Sequence, residues 1–108
     1  MTTRLAGNGF AAAALRMGAA AVVWGLHFGA VYGGTALACA RGVPQAAPVA
    51  VAIATVCAMV ALLWVVRAGW RERAAFEPLF SASLAGFALL AVLWEAAPAL
   101  WVPACGGR

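Results

Sequence analysis

Charged residues divide the chain into apolar stretches of similar length. Residues 17–40, between Arg16 and Arg41, carry no charge, and neither do residues 42–66, which end at Arg67. A third stretch, Pro78 to Pro103, holds a single charge, Glu95. A membrane crossing takes about 20 apolar residues at a rise of about 1.5 Å each. Each stretch is therefore long enough for one crossing and too short for two. Backbone groups in lipid must be paired within their own element, so each crossing is predicted to be helical. Gly42, Pro44 and Pro48 mark a short first connection. Pro48 and Pro78 suit the first turns of the second and third helices, and Pro103 with Gly106-Gly107 closes the third. The predicted spans are roughly 17–40, 47–67 and 79–102, in a single-domain, all-α membrane protein. The Ala-rich segment Thr2 to Leu15 is expected to lie on the membrane surface or to extend the first helix. A cleaved leader ending at Ala36-Leu37-Ala38-Cys39 is the competing reading. Against it, the apolar run exceeds the about 7–15 residues of a signal core and contains His27 and Tyr32.

Composition supports the lipid reading. The chain is 67% hydrophobic and 9% charged, where soluble domains carry about 25% charge. The net charge of +4 does not point to nucleic acid, because the arginines are scattered between apolar runs and form no patch. Their placement is topological. Arg4 and Arg16 share a side with Arg67, Arg71 and Arg73, opposite Arg41 and Arg108. The positive-inside rule then puts the N-terminus inside and the C-terminus outside, with Trp70 and Trp101 as interfacial anchors. Arg73 and Glu77, four residues apart, are read as a solvated pair on a charged loop.

Cys39 and Cys105 both fall at the outer end in this topology. In a bacterial inner membrane that face is oxidising, so a Cys39–Cys105 disulfide is expected, clamping the first helix to the third. Cys57, in mid-helix, reads as a small packing residue.

Helical faces supply the remaining candidates. With Gly25 set at zero and about 100° per residue, Gly29 and Gly33 fall on one narrow face with it. That face is expected to pack on Ala50, Ala54, Cys57, Ala58 and Ala61 of the second helix, as small residues do in membranes, although alanine is abundant throughout. On the third helix Ser81, Ala85, Ala88, Val92, Glu95 and Ala99 share a face, which turns Glu95 into the bundle. Tyr32 and Thr55 lie at nearly the depth of Glu95, about 10–12 Å from the outer end. Tyr32 is the expected donor to Glu95, a protonated Glu95 the alternative. Pro98 leaves the Trp94 carbonyl without its helical donor. His27 sits roughly 200° from Gly25, so the glycine row and His27 cannot both face the bundle. With the glycines inward, His27 points to an external partner. The plainer reading is a neutral imidazole bonded to a nearby carbonyl or water.

Three fragments, Trp24-x-x-His27-Phe28-x-x-x-Tyr32, Ala38-Cys39-x-Arg41 and Leu93-Trp94-x-x-x-Pro98-x-Leu100-x-x-Pro103-x-Cys105, occur in order. Together they resemble small bacterial three-span membrane proteins associated with cytochrome c oxidase-type terminal oxidases. The resemblance covers the first and third helices. It implies an accessory or assembly role in the respiratory chain and an outer pair of cysteines, and it supplies no catalytic residue.

The sequence thus leads to a non-catalytic accessory or assembly subunit of a larger membrane complex, or a homo-oligomer, in a bacterial inner membrane. A small proton-coupled transporter or channel-forming oligomer using Glu95 is the alternative. His27 as a haem or copper ligand has no partner at ligand spacing. No nucleophile–base pair, paired carboxylates, phosphate loop or zinc spacing appears, so neither enzyme chemistry nor a cofactor is expected.

Overall fold

The computed structural model describes residues 2–106. It is a three-helix bundle: α1 (Thr2–Ala40), α2 (Ala46–Arg71) and α3 (Phe76–Ala96), followed by a 3₁₀ turn (Ala97–Leu100). All three helices are long and apolar enough to cross a membrane, within Gly9–Ala40, Ala46–Arg71 and Phe76–Leu100. Gly107 and Arg108, assigned to the outer end by the charge pattern, lie outside the described residues.

The helix limits follow local chemistry. α1 ends where Gly42 turns to a positive φ of 71°. The Val43 amide then reaches the Ala38 carbonyl at 2.9 Å and the Gly42 amide the Cys39 carbonyl at 3.2 Å, a Schellman arrangement that satisfies the last carbonyls. At its other end α1 continues without a break to Thr2, so the N-terminal segment extends the first helix. The 39 residues of α1 account for the 60 Å long axis of the molecule. α3 stops earlier than the predicted 102. Pro98 has no N–H to give and crowds the carbonyl one turn back, so the chain tightens into the 3₁₀ turn.

Each helix packs against both others. On α2 the buried residues Ala47, Val51, Ala58, Leu62 and Gly69 recur at alternating spacings of four and seven, and on α3 Ser81, Ala85, Ala88 and Val92 recur at four, three and four, with Ala82 beside them. Such spacing keeps one seam of each helix turned to its neighbours. The seam of α1 runs through Ala20, His27, Val31 and Ala38.

This seam corrects the expected glycine packing. Gly25, Gly29 and Gly33 are exposed, and a Cβ added at any of them would meet nothing within 4 Å. They lie on the far side of α1 from the bundle. Close packing through glycine occurs instead at Gly69. A Cβ there would fall 2.5 Å from the Pro78 carbonyl oxygen and 3.0 Å from the Ala82 methyl, so only glycine lets α2 and α3 meet at this depth. At that same end Arg16 is ion-paired with Glu77, and the Ser81 hydroxyl donates to the Arg16 carbonyl at 3.2 Å. Arg73 lies over the ring of Trp70 and reaches the Trp70 carbonyl, so its partner is not Glu77.

Candidate functional site

The α1 seam carries His27 to the centre of the bundle. The residue is 3% exposed, and both ring nitrogens are engaged. Nδ1 lies 3.0 Å from Glu95 Oε2 on α3, and Nε2 lies 3.0 Å from Thr55 Oγ1 on α2. One side chain from each helix therefore meets in a single hydrogen-bonded cluster. Glu95 arrives because it extends the α3 register of Ser81, Ala85, Ala88 and Val92 by one more step. Thr55 arrives because it lies between Val51 and Ala58 on the buried side of α2.

Two expectations change here. His27 faces inward, and the surface it was expected to offer a partner is occupied by the chain's own second and third helices. Tyr32 is not the partner of Glu95. It is 57% exposed, and its ring packs against Phe28 in a tilted arrangement with centroids 4.5 Å apart. Phe28 in turn contacts Trp24 at 5.9 Å. The spacing of four places these rings in a ladder along the outside of α1, beside the exposed glycines.

The inward turn of Glu95 is as the sequence predicts. So is the Cys39–Cys105 disulfide, whose Cα atoms lie 5.6 Å apart. It ties the end of α1 to the segment that follows the 3₁₀ turn. Cys57 remains free and exposed on the flank of α2.

A cavity of about 600 Å³ opens at the disulfide end. Its walls come from α1, from the start of α2 and from the closing segment between Pro98 and Cys105. Tyr32, Thr35, Gln45 and Glu95 supply its polar lining. Glu95 thus faces two ways, bonded to His27 in the interior and bordering the cavity, and its side chain is 12% exposed. A smaller groove of about 250 Å³ between α1 and α2 touches the other side of His27 and is bounded by Leu26, Ala30 and Cys57.

The cluster has two protonation states with every bond intact. With Glu95 ionised and His27 neutral, Nδ1–H donates to the carboxylate and Nε2 accepts from the Thr55 hydroxyl. With one more proton, Nε2 carries a hydrogen and the hydroxyl turns to accept it. The proton between Nδ1 and the carboxylate stays in place and is then shared by the two. Thr55 makes both states possible because a hydroxyl donates or accepts. Neither nitrogen of His27 is free for a metal while these bonds stand. Among the described residues no three His, Cys, Asp or Glu side chains gather at ligand distance.

Compared with protein-family profiles, with curated protein sequences and with solved structures, the chain shows no match in any of the three.

Proposed function

We propose that the chain is a non-catalytic accessory or assembly subunit of a larger membrane complex, joined to it through the outer face of α1. The observation that supports this is the exposed row Gly25, Gly29 and Gly33, where an added Cβ would meet nothing within 4 Å. Glycines at this spacing are unfavourable in a helix by about 1 kcal/mol each. In lipid they are also the surface on which a second helix approaches closely. The chain's own helices leave that surface unused, and the Trp24–Phe28–Tyr32 ladder forms one rim of it. The motif resemblance narrows the complex to a cytochrome c oxidase-type terminal oxidase of a bacterial inner membrane. The arginine pattern puts the Arg16–Glu77 end inside and the disulfide end outside, in the oxidising compartment.

Blue-native electrophoresis after gentle solubilisation tests the reading. The unaltered chain is expected in a band well above its own mass, and Gly29→Leu is expected to release it. Migration of the unaltered chain only as a small free protein counts against an accessory role.

The carboxylate at the cavity favours a second reading, a small proton-coupled transporter or channel-forming oligomer using Glu95. Buried ionisable residues in membrane helices often carry coupling protons. Proton flux into liposomes that is the same for Glu95→Gln as for the unaltered chain removes this reading.

A further inference from the structure

The cavity beside Glu95 has the size of a small-molecule site, for which about 300–1,000 Å³ is usual. Its wall is mostly apolar, with Val31, Val51 and Pro98 around a few converging polar groups. Its charge is one-sided. Among the described residues Glu95 is the only carboxylate in the lining, and no arginine contributes to it. The groups facing Glu95 are few. From α1 come His27, bonded to Oε2, and Tyr32, which lines the same cavity. α2 contributes the neutral Thr55 behind His27, and neutral Gln45 stands just before α2. With His27 neutral, the cluster carries one negative charge, and its open side is an apolar chamber.

A carboxylate set against apolar walls is matched by a ligand that brings one compact positive charge and an apolar body. We propose that the cavity binds an amphipathic amine, its ammonium seated on Glu95 and its hydrocarbon or aromatic part against Val31, Val51 and Pro98. The ammonium and the extra proton of the cluster neutralise the same carboxylate, so each excludes the other. The inference does not depend on the accessory reading; it shares Glu95 with the transporter reading, from which equilibrium binding separates it because binding requires no proton flux.

The test uses the purified full chain with its disulfide intact, in lipid nanodiscs, and two fluorescent probes. One is a dansyl group on an alkylamine, the other the same molecule with a hydroxyl in place of the amine. At pH 8 the amine is expected to bind the unaltered chain at least about tenfold more tightly than the alcohol, the effect of one charge-assisted hydrogen bond. Glu95→Gln is expected to abolish that preference, and lowering the pH to weaken the amine and leave the alcohol unchanged. Ala99→Trp places a large ring at an exposed position of the cavity wall and removes no polar group of the cluster, and is expected to weaken the amine by a similar factor. An amine preference that survives Glu95→Gln overturns the proposal. If Glu95→Gln does not fold, amine binding unaffected by Ala99→Trp overturns it equally.

Discussion

Gly69 and Gly29 offer a direct comparison of two glycines in one chain. Replacing either by alanine removes the helix penalty of glycine, a gain of about 1 kcal/mol. At Gly29 nothing opposes that gain, since the new methyl has no neighbour within 4 Å. At Gly69 the methyl would sit 2.5 Å from the Pro78 carbonyl oxygen, and carbon atoms essentially never approach a neighbour closer than 3.0 Å. The atom in the way is backbone, so α2 and α3 must separate by at least about half an ångström. Overpacking of this kind costs about 1–3 kcal/mol. Set against the propensity gain, Gly69→Ala is expected to destabilise by up to about 2 kcal/mol, and Gly29→Ala to be neutral or to stabilise by up to about 1 kcal/mol.

Titration of mixed micelles with dodecyl sulfate, followed by tryptophan fluorescence, reads both values on the isolated chain. The expected gap between the two variants is about 2 kcal/mol, or close to thirtyfold in the folding equilibrium. A Gly29→Ala variant as damaged as Gly69→Ala would refute the placement of the glycine row outside the bundle. It would restore the packing on α2 that its spacing suggests. In the larger complex the order is expected to invert, with the Gly29 variant the weaker binder.

Three further outcomes follow from the site and its surroundings. His27→Leu strands Glu95 and Thr55 and is expected to cost about 2–4 kcal/mol in the same titration. The double variant His27→Leu/Glu95→Met should cost at least about 1 kcal/mol less than the sum of the two single losses, and simple additivity would show that the two residues do not act as a pair. Maleimide labelling of the denatured chain is expected to modify only Cys57 before reduction and all three cysteines after it. Cys105→Ser should lower stability by about 4 kcal/mol, from the chain entropy of a 66-residue separation; three reactive thiols without reductant would contradict the bridge. Arg16→Ala should leave stability nearly unchanged, because its partner Glu77 is reached across an exposed surface. A larger loss would mean that this pair is shielded from water.

The helices and their apolar lengths were legible because a bilayer demands about 20 uncharged residues and tolerates few charges. Glu95 was also legible, since the small residues Ser81, Ala85 and Ala88 mark the α3 seam. The inner face of α1 was not. A helix in water shows its buried side by contrast with a polar one, but α1 has Leu26, Phe28 and Leu37 on its outer side, as apolar as anything within. Small size as the mark of a packed face selects the glycines instead. The usable signal is the spacing Ala20, His27, Val31, Ala38, which repeats the alternation of four and seven seen on α2. Equal depth placed Thr55 level with Glu95, but depth alone did not separate Tyr32 from His27 as the partner.

Two energies compete for the inner face of α1, and their sizes explain which one prevails. Turning the glycines inward would gain close packing over three small positions, each adding only weak dispersion contacts. It would also leave His27 facing hydrocarbon, and a polar group buried without a partner costs several kcal/mol in the absence of water. With His27 inward, both of its nitrogens are bonded, and Glu95 and Thr55 are satisfied by the same ring. Three polar groups are thereby removed from lipid at once. The glycines turned outward lose little, because they have no side chain to strand and hydrocarbon tails cover their backbone. The polar cluster therefore fixes the rotation of α1, and the glycine face is exposed as a consequence. A partner helix on that face would meet a surface whose orientation is already set from within by His27.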